Sequence, residues 1–183
     1  MWKINTLKMK NIKINYCLAL LFCLLSLPTW AQKVIKPRPK ASPICLATFL
    51  GEDIYLKTTY GQPSRNGREI FGVLVPYGKI WRAGANEATE FTTTKDIKFE
   101  KKTLKAGTYT IFVIPEANTW TVVFNSAVGQ WGAYKYDDIK ASNALQIEVP
   151  AEKSEDEYEG FTIQFEQSKK GADLVFLDRK SVV

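Results

Sequence analysis

Two clusters of aromatic and polar residues carry the side chains best suited to binding chemistry, and the first spans 81–87. Trp81 and Arg82 precede a small-residue turn that leads into Asn86 and Glu87. An arginine can hold a carboxylate in a two-pronged pair, while an amide and a carboxylate suit sugar hydroxyls or a peptide backbone. The pattern predicts the floor of a ligand cleft, with Trp81 as its stacking wall. In the structural alternative Arg82 pairs with Glu87, Asn86 supports the turn, and the tryptophan fills the core.

The second cluster spans 130–138, reads QWGAYKYDD and follows Asn125. Trp131, Tyr134 and Tyr136 could form a platform on which sugar rings or aromatic side chains stack. The alternative is that these aromatic residues cap an open end of the fold. Both clusters follow predicted strands, so we expect them at the same end of the fold. The predicted ligand-binding residues are Trp81, Arg82, Asn86, Glu87, Trp131 and Tyr134.

The composition excludes several kinds of catalytic site. The chain has no histidine, and of its 3 cysteines only Cys45 lies beyond residue 31. A Ser-His-Asp or Cys-His arrangement, histidine metal ligands and a disulfide within the processed chain are therefore excluded. We predict no catalytic residue, no metal site and no cofactor. The enzymatic alternative is a carboxylate-based hydrolase that uses Glu87 with Asp137 or Asp138.

The N-terminal segment 1–31 has the parts of a secretory signal peptide. Four lysines precede an apolar run at 17–27, and Ala31 offers a small residue for cleavage. A transmembrane anchor would need about 20 apolar residues, and the two cysteines of this segment lack the small neighbours that lipid attachment requires. We expect a secreted protein, periplasmic or extracellular, with no stable membrane insertion after cleavage.

Cleavage after Ala31 would also remove most of the positive charge. The full chain has 25 basic and 19 acidic residues, and four of the basic ones are the lysines of the leader. The small remaining excess is not the footprint of a nucleic-acid-binding protein. The predicted organisation is a signal peptide at 1–31, a flexible tether rich in proline and lysine at 32–41, and a single domain at 42–183.

The rest of the chain has the two-residue periodicity of strands. We predict about nine short strands, the clearest being a hairpin at 108–125, and one short helical turn at 67–71. Such a pattern favours an all-β fold, an antiparallel β-sandwich, with a β-barrel as the alternative. The segment 61–87 is a long loop that is too apolar to be disordered, so we expect it to pack on the sandwich. The acidic run 153–159 is predicted to be a solvated loop.

Several motifs resemble those of one known family. They are GREIFGVLVPYGKIWRAGANEAT at 67–89, AGTY at 106–109, WTVVFN at 120–125 and WGAYKYD at 131–137. Together they resemble the domain-of-unknown-function family 2911, whose members are exported bacterial proteins. The resemblance covers roughly 42–178. It implies export and a shared fold, but it implies no activity.

These observations lead to three hypotheses about function. The first is a non-catalytic binding module of the bacterial envelope that holds a carbohydrate or an extended peptide. The second is a structural or protein-interaction domain without a small ligand, and the third is the carboxylate-based hydrolase. The sequence leaves open the ligand, the oligomeric state, the physiological role, whether any catalysis occurs and whether the two clusters share one cleft. An open cleft lined by Asn86, Glu87 and Trp131 would favour binding, whereas burial of all three would favour a structural role.

Overall fold

A computed structural model describes residues 38, 40–99, 101–169 and 171–183. The predicted signal peptide and all but three residues of the predicted tether lie outside the described residues. The strands are β1 (Ile44–Leu50), β2 (Tyr55–Gly61), β3 (Thr89–Thr93), β4 (Ile97–Phe99), β5 (Lys102–Leu104), β6 (Gly107–Pro115), β7 (Thr119–Asn125), β8 (Asn143–Pro150), β9 (Glu152–Ser168) and β10 (Gly171–Val182). One short helix, α1 (Tyr136–Ile139), is followed by a 3-10 turn at Lys140–Ser142.

The described strands form three antiparallel sheets. The largest has six strands in the order β1-β2-β3-β6-β7-β8, while β9 pairs with β10 and β4 pairs with β5. The predicted all-β fold is confirmed, since strands dominate, none of the described sheets closes into a barrel, and the arrangement is consistent with a sandwich. No helix among the described residues is long and apolar enough to cross a membrane.

Alternation along the strands explains the main core. Phe91 on β3, Ile111 on β6 and Phe124 on β7 lie on one face of the large sheet and are almost completely buried. Phe161 of β9 and Phe176 of β10 belong to the same buried cluster. The β9–β10 hairpin therefore covers this inner face, and burying such large side chains contributes roughly 1.5–3 kcal/mol each.

A smaller core lies on the opposite face of the sheet. Phe112 and Val123 are fully buried there and are paired across β6 and β7. Tyr136 and Ile139 of α1 pack against them, and the rings of Phe112 and Tyr136 lie 5.1 Å apart. The segment 126–142 thus covers the outer face over β6 and β7.

Two local predictions were wrong. The acidic run 153–159 is part of β9, a strand of 17 residues, rather than a loop. The run consists mostly of charged residues, so it lacks the alternation of apolar and polar residues from which a strand is predicted. Its pairing with β10 keeps it extended. The segment 67–71 contains turns and one isolated bridge at Phe71 instead of a helical turn.

The long loop at 61–87 is ordered and is attached to the sheet at two points. Ala85 donates its N–H to the carbonyl of Gly61 at 3.0 Å, at the end of β2. Trp81 exchanges two backbone hydrogen bonds with Val113 of β6, at 2.7 and 2.8 Å. A side chain at Gly61 would overlap the carbonyl oxygen of Ala85, so glycine allows this close approach of the loop.

We predict that Gly61→Ala lowers the free energy of unfolding by about 1–3 kcal/mol, because the added methyl group forces the loop and β2 apart. Denaturant unfolding measures this change. Gly160→Ala is the matched control, since its new Cβ would lie 3.3 Å from the flexible side chain of Gln62, and a change within about 0.5 kcal/mol is expected. Equal stability of the two variants would contradict the close approach.

Candidate functional site

The two predicted clusters meet on the surface of the protein. Ala88 donates its N–H to the carbonyl of Gln130 at 2.9 Å, and Gly132 donates to the carbonyl of Asn86 at 3.1 Å. These bonds form an antiparallel bridge between Glu87 and Trp131. The end of the long loop is therefore held beside the segment that follows β7. The sequence alone leaves open whether the two clusters share one cleft.

An open cleft of about 270 Å³ lies at this bridge. We call it the Trp131 cleft; its lining residues are Ile44, Thr59, Tyr60, Gly61, Glu87, Ala88, Glu90, Gly129, Gln130 and Trp131. Glu87 is exposed, and Trp131 retains 63% of its accessible surface. The cleft thus presents an aromatic face beside carboxylates.

The charge of the Trp131 cleft is negative. Glu87 and Glu90 are its charged lining residues, and neither a lysine nor an arginine is among the residues that form it. Glu90 is held in place because its Oε1 accepts the N–H of Gly129 at 2.8 Å. Burial raises the pKa of Tyr60 above its ordinary value of 10.0, so this phenol is neutral near pH 7. The arrangement suits a ligand that carries a positive charge or several hydrogen-bond donors.

Trp81 is placed in the core and not in the cleft. It is 9% exposed, and its ring lies 5.0 Å from that of Phe161 and 5.8 Å from that of Phe71. Trp120 completes the group at 6.4 Å. Its position matches the structural alternative, in which Trp81 fills the core.

Arg82 and Asn86 support the backbone around the cleft. The carbonyl of Arg82 accepts the N–H of Thr89 at 3.1 Å, and the half-buried guanidinium has a buried Nε without a hydrogen-bond partner. Among the ion pairs of the described residues there is none between Arg82 and Glu87. Asn86 has a φ of 63°, in the left-handed region that asparagine tolerates well, so it holds the turn that presents Glu87.

The aromatic residues of the second cluster divide between two roles. Tyr134 is 82% exposed and leans over Gly132, but it does not line the Trp131 cleft. Tyr136 is structural, since it packs on Phe112 and its hydroxyl accepts a hydrogen bond from Asn143 Nδ2 at 2.9 Å. The predicted three-ring platform is therefore reduced to one ring that lines the cleft, that of Trp131, and one exposed ring outside it.

The carboxylates named for a hydrolase are not gathered in this cleft. Asp137 and Asp138 lie on α1, outside the lining of the Trp131 cleft, and Asp137 pairs with Lys140 at 3.2 Å. The second carboxylate of the cleft is Glu90, which the sequence analysis did not select. The sequence could have indicated Glu90, because it is a charged residue on a predicted strand and its side chain points to the face opposite that of the buried Phe91.

The sequence analysis also did not identify the surface of β1 as a possible site. β1 is an edge strand of the six-stranded sheet. Its outward residues include Ile44, Leu46 and Leu50, which are 57%, 62% and 80% exposed. Ile44 also lines the Trp131 cleft, so the apolar stripe on β1 and the cleft form one continuous surface.

Comparison with known proteins identifies a family and no individual relative. The family model described as "Protein of unknown function (DUF2911)" matches residues 43–180. This match confirms the resemblance found in the sequence motifs. No curated protein and no solved structure matches the chain.

Asn125 is the residue that fastens the segment 126–142 to the sheet. It is fully buried, and its Nδ2 donates to the carbonyl of Ile139 at 2.8 Å and to Asn143 Oδ1 at 2.7 Å. Its Oδ1 accepts the N–H of Ala127 at 2.8 Å. Because this segment carries Trp131, the cleft depends on these three bonds.

We predict that Asn125→Ala lowers the free energy of unfolding by about 2–3 kcal/mol, because it leaves buried polar groups without partners. Hydrogen exchange should become faster across 126–142. Asn118→Ala is the control, since Asn118 is exposed in the turn between β6 and β7 and should change stability by less than about 0.5 kcal/mol. Unchanged exchange at 126–142 in the Asn125 variant would contradict this role.

Proposed function

Because the chain belongs to the DUF2911 family of proteins of unknown function, we propose a function from the geometry of its surface: an exported, non-catalytic module that binds an extended peptide. The peptide lies along β1 and places a basic side chain in the Trp131 cleft. The observation that carries the proposal is an apolar, uncharged edge strand that runs directly into an acidic aromatic cleft. Export rests on the signal-like segment 1–31.

The first argument is the contrast between the two edges of the large sheet. β1 reads ICLATFL and has neither a charged residue nor a proline along its 7 residues. The other edge strand, β8, carries the exposed Glu148 and ends at Pro150. Natural proteins protect edge strands with charge, proline or cover, because an unprotected edge pairs with other chains. β1 has neither charge nor proline, so its edge is the more suitable of the two for β-strand addition by a peptide.

The second argument is the side-chain chemistry along the edge. In an added strand, alternate side chains face the same side as Ile44, Leu46 and Leu50. Apolar residues at those positions would cover the exposed stripe. A lysine or arginine at the end near Ile44 would reach Glu87 and the face of Trp131, where a cation–π contact contributes about 0.5–2 kcal/mol. The preferred ligand is an extended peptide with apolar residues at alternate positions and a basic residue in the same phase at the end near Ile44, because residues two apart in a strand share a face.

A carbohydrate is the second candidate, and the exposure of Trp131 is the observation that favours it. A sugar ring could stack on the indole while its hydroxyls bind Glu87 or Glu90. A carbohydrate would use the Trp131 cleft without needing the edge of β1. The two ligands therefore depend differently on Leu46, which lies on β1 outside the cleft lining.

We predict that a fluorescein-labelled peptide binds the protein, as measured by fluorescence anisotropy, when it has valine at alternate positions, serine between them and lysine in the valine phase at both ends. Glu87→Gln should weaken binding about tenfold, because it removes a charge-assisted hydrogen bond worth about 1.5–3 kcal/mol. Leu46→Lys should weaken it by a similar factor, because it puts a like charge on the edge strand. A peptide with glutamate in place of lysine should not bind.

Matched control variants lie on the opposite edge. Glu148→Gln and Ala144→Lys make the same kinds of change at exposed positions of β8 and should leave peptide binding unaltered. If chitooligosaccharides bind instead, with dependence on Trp131 and none on Leu46, the carbohydrate candidate replaces the peptide. Equal losses from the β1 and β8 variants would mean non-specific attraction and would contradict the proposed site.

A further inference from the structure

A second cavity lies between the inner face of the large sheet and the β9–β10 hairpin. Its volume is about 640 Å³, within the range of about 300–1,000 Å³ typical of small-molecule sites. The residues that line it are different from those of the Trp131 cleft. We call it the inter-sheet cavity.

The lining of the inter-sheet cavity is strongly apolar. Side chains of the sheet such as Phe91 and Phe124 form one wall, and those of the hairpin such as Phe165 and Leu174 form the other. Phe99 of β4 adds a third side, with its ring 5.0 Å from that of Phe124. Apolar cavities do not hold water favourably, so the lining suits a hydrocarbon.

The core is incompletely buried around this cavity. Most of the apolar residues that pack against the main core while remaining partly exposed also line the cavity, among them Phe49, Ile97, Phe165 and Leu174. Protein interiors are normally packed as densely as organic crystals. A concentration of half-exposed aromatic and aliphatic side chains around one void therefore indicates a place for an apolar ligand.

Polar groups occur only where the cavity reaches the surface. Lys98 of β4 and Asp173 of β10 are exposed lining residues, and Ser168 lies at the end of β9. They place the mouth between β4 and the β9–β10 turn. One positive and one negative residue at the mouth do not select a strongly charged headgroup of either sign.

The geometry points to a binding site for the hydrocarbon chain of a single-chain lipid, with the chain in the inter-sheet cavity and the headgroup in solvent at its mouth. The chain supplies the affinity, because each methylene that leaves water contributes to binding. The inference does not rest on the peptide proposal, since the inter-sheet cavity shares no lining residue with the Trp131 cleft and is lined by β1 only through Phe49 on the inner face of that strand.

The test is titration of the purified protein with straight-chain fatty acids of increasing length below their critical micelle concentrations, by isothermal titration calorimetry. Affinity should rise about fourfold per added methylene until the chain exceeds the cavity. Replacing the carboxylate by an alcohol of the same chain length should change affinity by less than about threefold. Affinity that is independent of chain length, or no binding, would overturn the inference.

Ala172→Phe and Ala172→Leu test the location. Ala172 is a half-buried residue of β10 that lines the cavity, so phenylalanine should reduce affinity at least tenfold and leucine by less. The phenylalanine variant should melt at the same or a higher temperature than the wild type, because it covers exposed apolar surface. Ala144→Phe, on the exposed face of β8, is the matched control. Equal affinity in the Ala172 and Ala144 variants would place the lipid elsewhere.

Discussion

The structure depends on one mismatch: an apolar face of six strands is covered by a hairpin of only two. Successive side chains of each strand point to opposite faces of the large sheet, and those on the inner face are apolar along most of its width, so this face needs cover. β9 and β10 supply the centre of that cover through Phe161, Ile163 and Phe176. The rest of the cover comes from the β4–β5 hairpin, through Phe99 and Leu104, and from the loop after β2.

The long loop after β2 meets part of this requirement. Ile70, Val75 and Trp81 join the main core from this loop, and the T-shaped contact between Trp81 and Trp120 places the loop over the start of β7. Aromatic pairs of this kind contribute about 0.5–1.5 kcal/mol beyond burial of their area. The aromatic part of the loop therefore serves to cover the inner face of the sheet. Its polar end, at Asn86 and Glu87, is the part that is available to a ligand.

The features of the fold that depend on local interactions could be predicted from the sequence, whereas those that depend on contacts between distant segments could not. Strands such as β2, β6 and β7 were predicted because their alternation is visible within a few residues. The positions of the two clusters after predicted strands favoured the same end of the fold, but they left open whether the clusters share one cleft. The burial of Trp81 could not be chosen over an exposed position, because it depends on Phe161, which lies 80 residues later in the chain. The inter-sheet cavity is likewise invisible in the sequence, because its residues have the same pattern as a filled core.

Packing in the core accounts for the tryptophans at 81 and 120, but it does not account for the tryptophan at 131. The first two are 9% and 2% exposed and fill the core, whereas Trp131 keeps 63% of its surface in water. Burial of apolar surface stabilises the fold by about 25 cal/mol per Å² removed from water. An indole that stays mostly in water therefore adds little more to stability than a smaller polar residue would. The same reasoning applies to Leu46 and Leu50 on β1, whose partners across the strand pair, Thr59 and Tyr55, leave them uncovered. Exposed apolar side chains that stabilise the free protein so little support the proposal that a partner covers this surface.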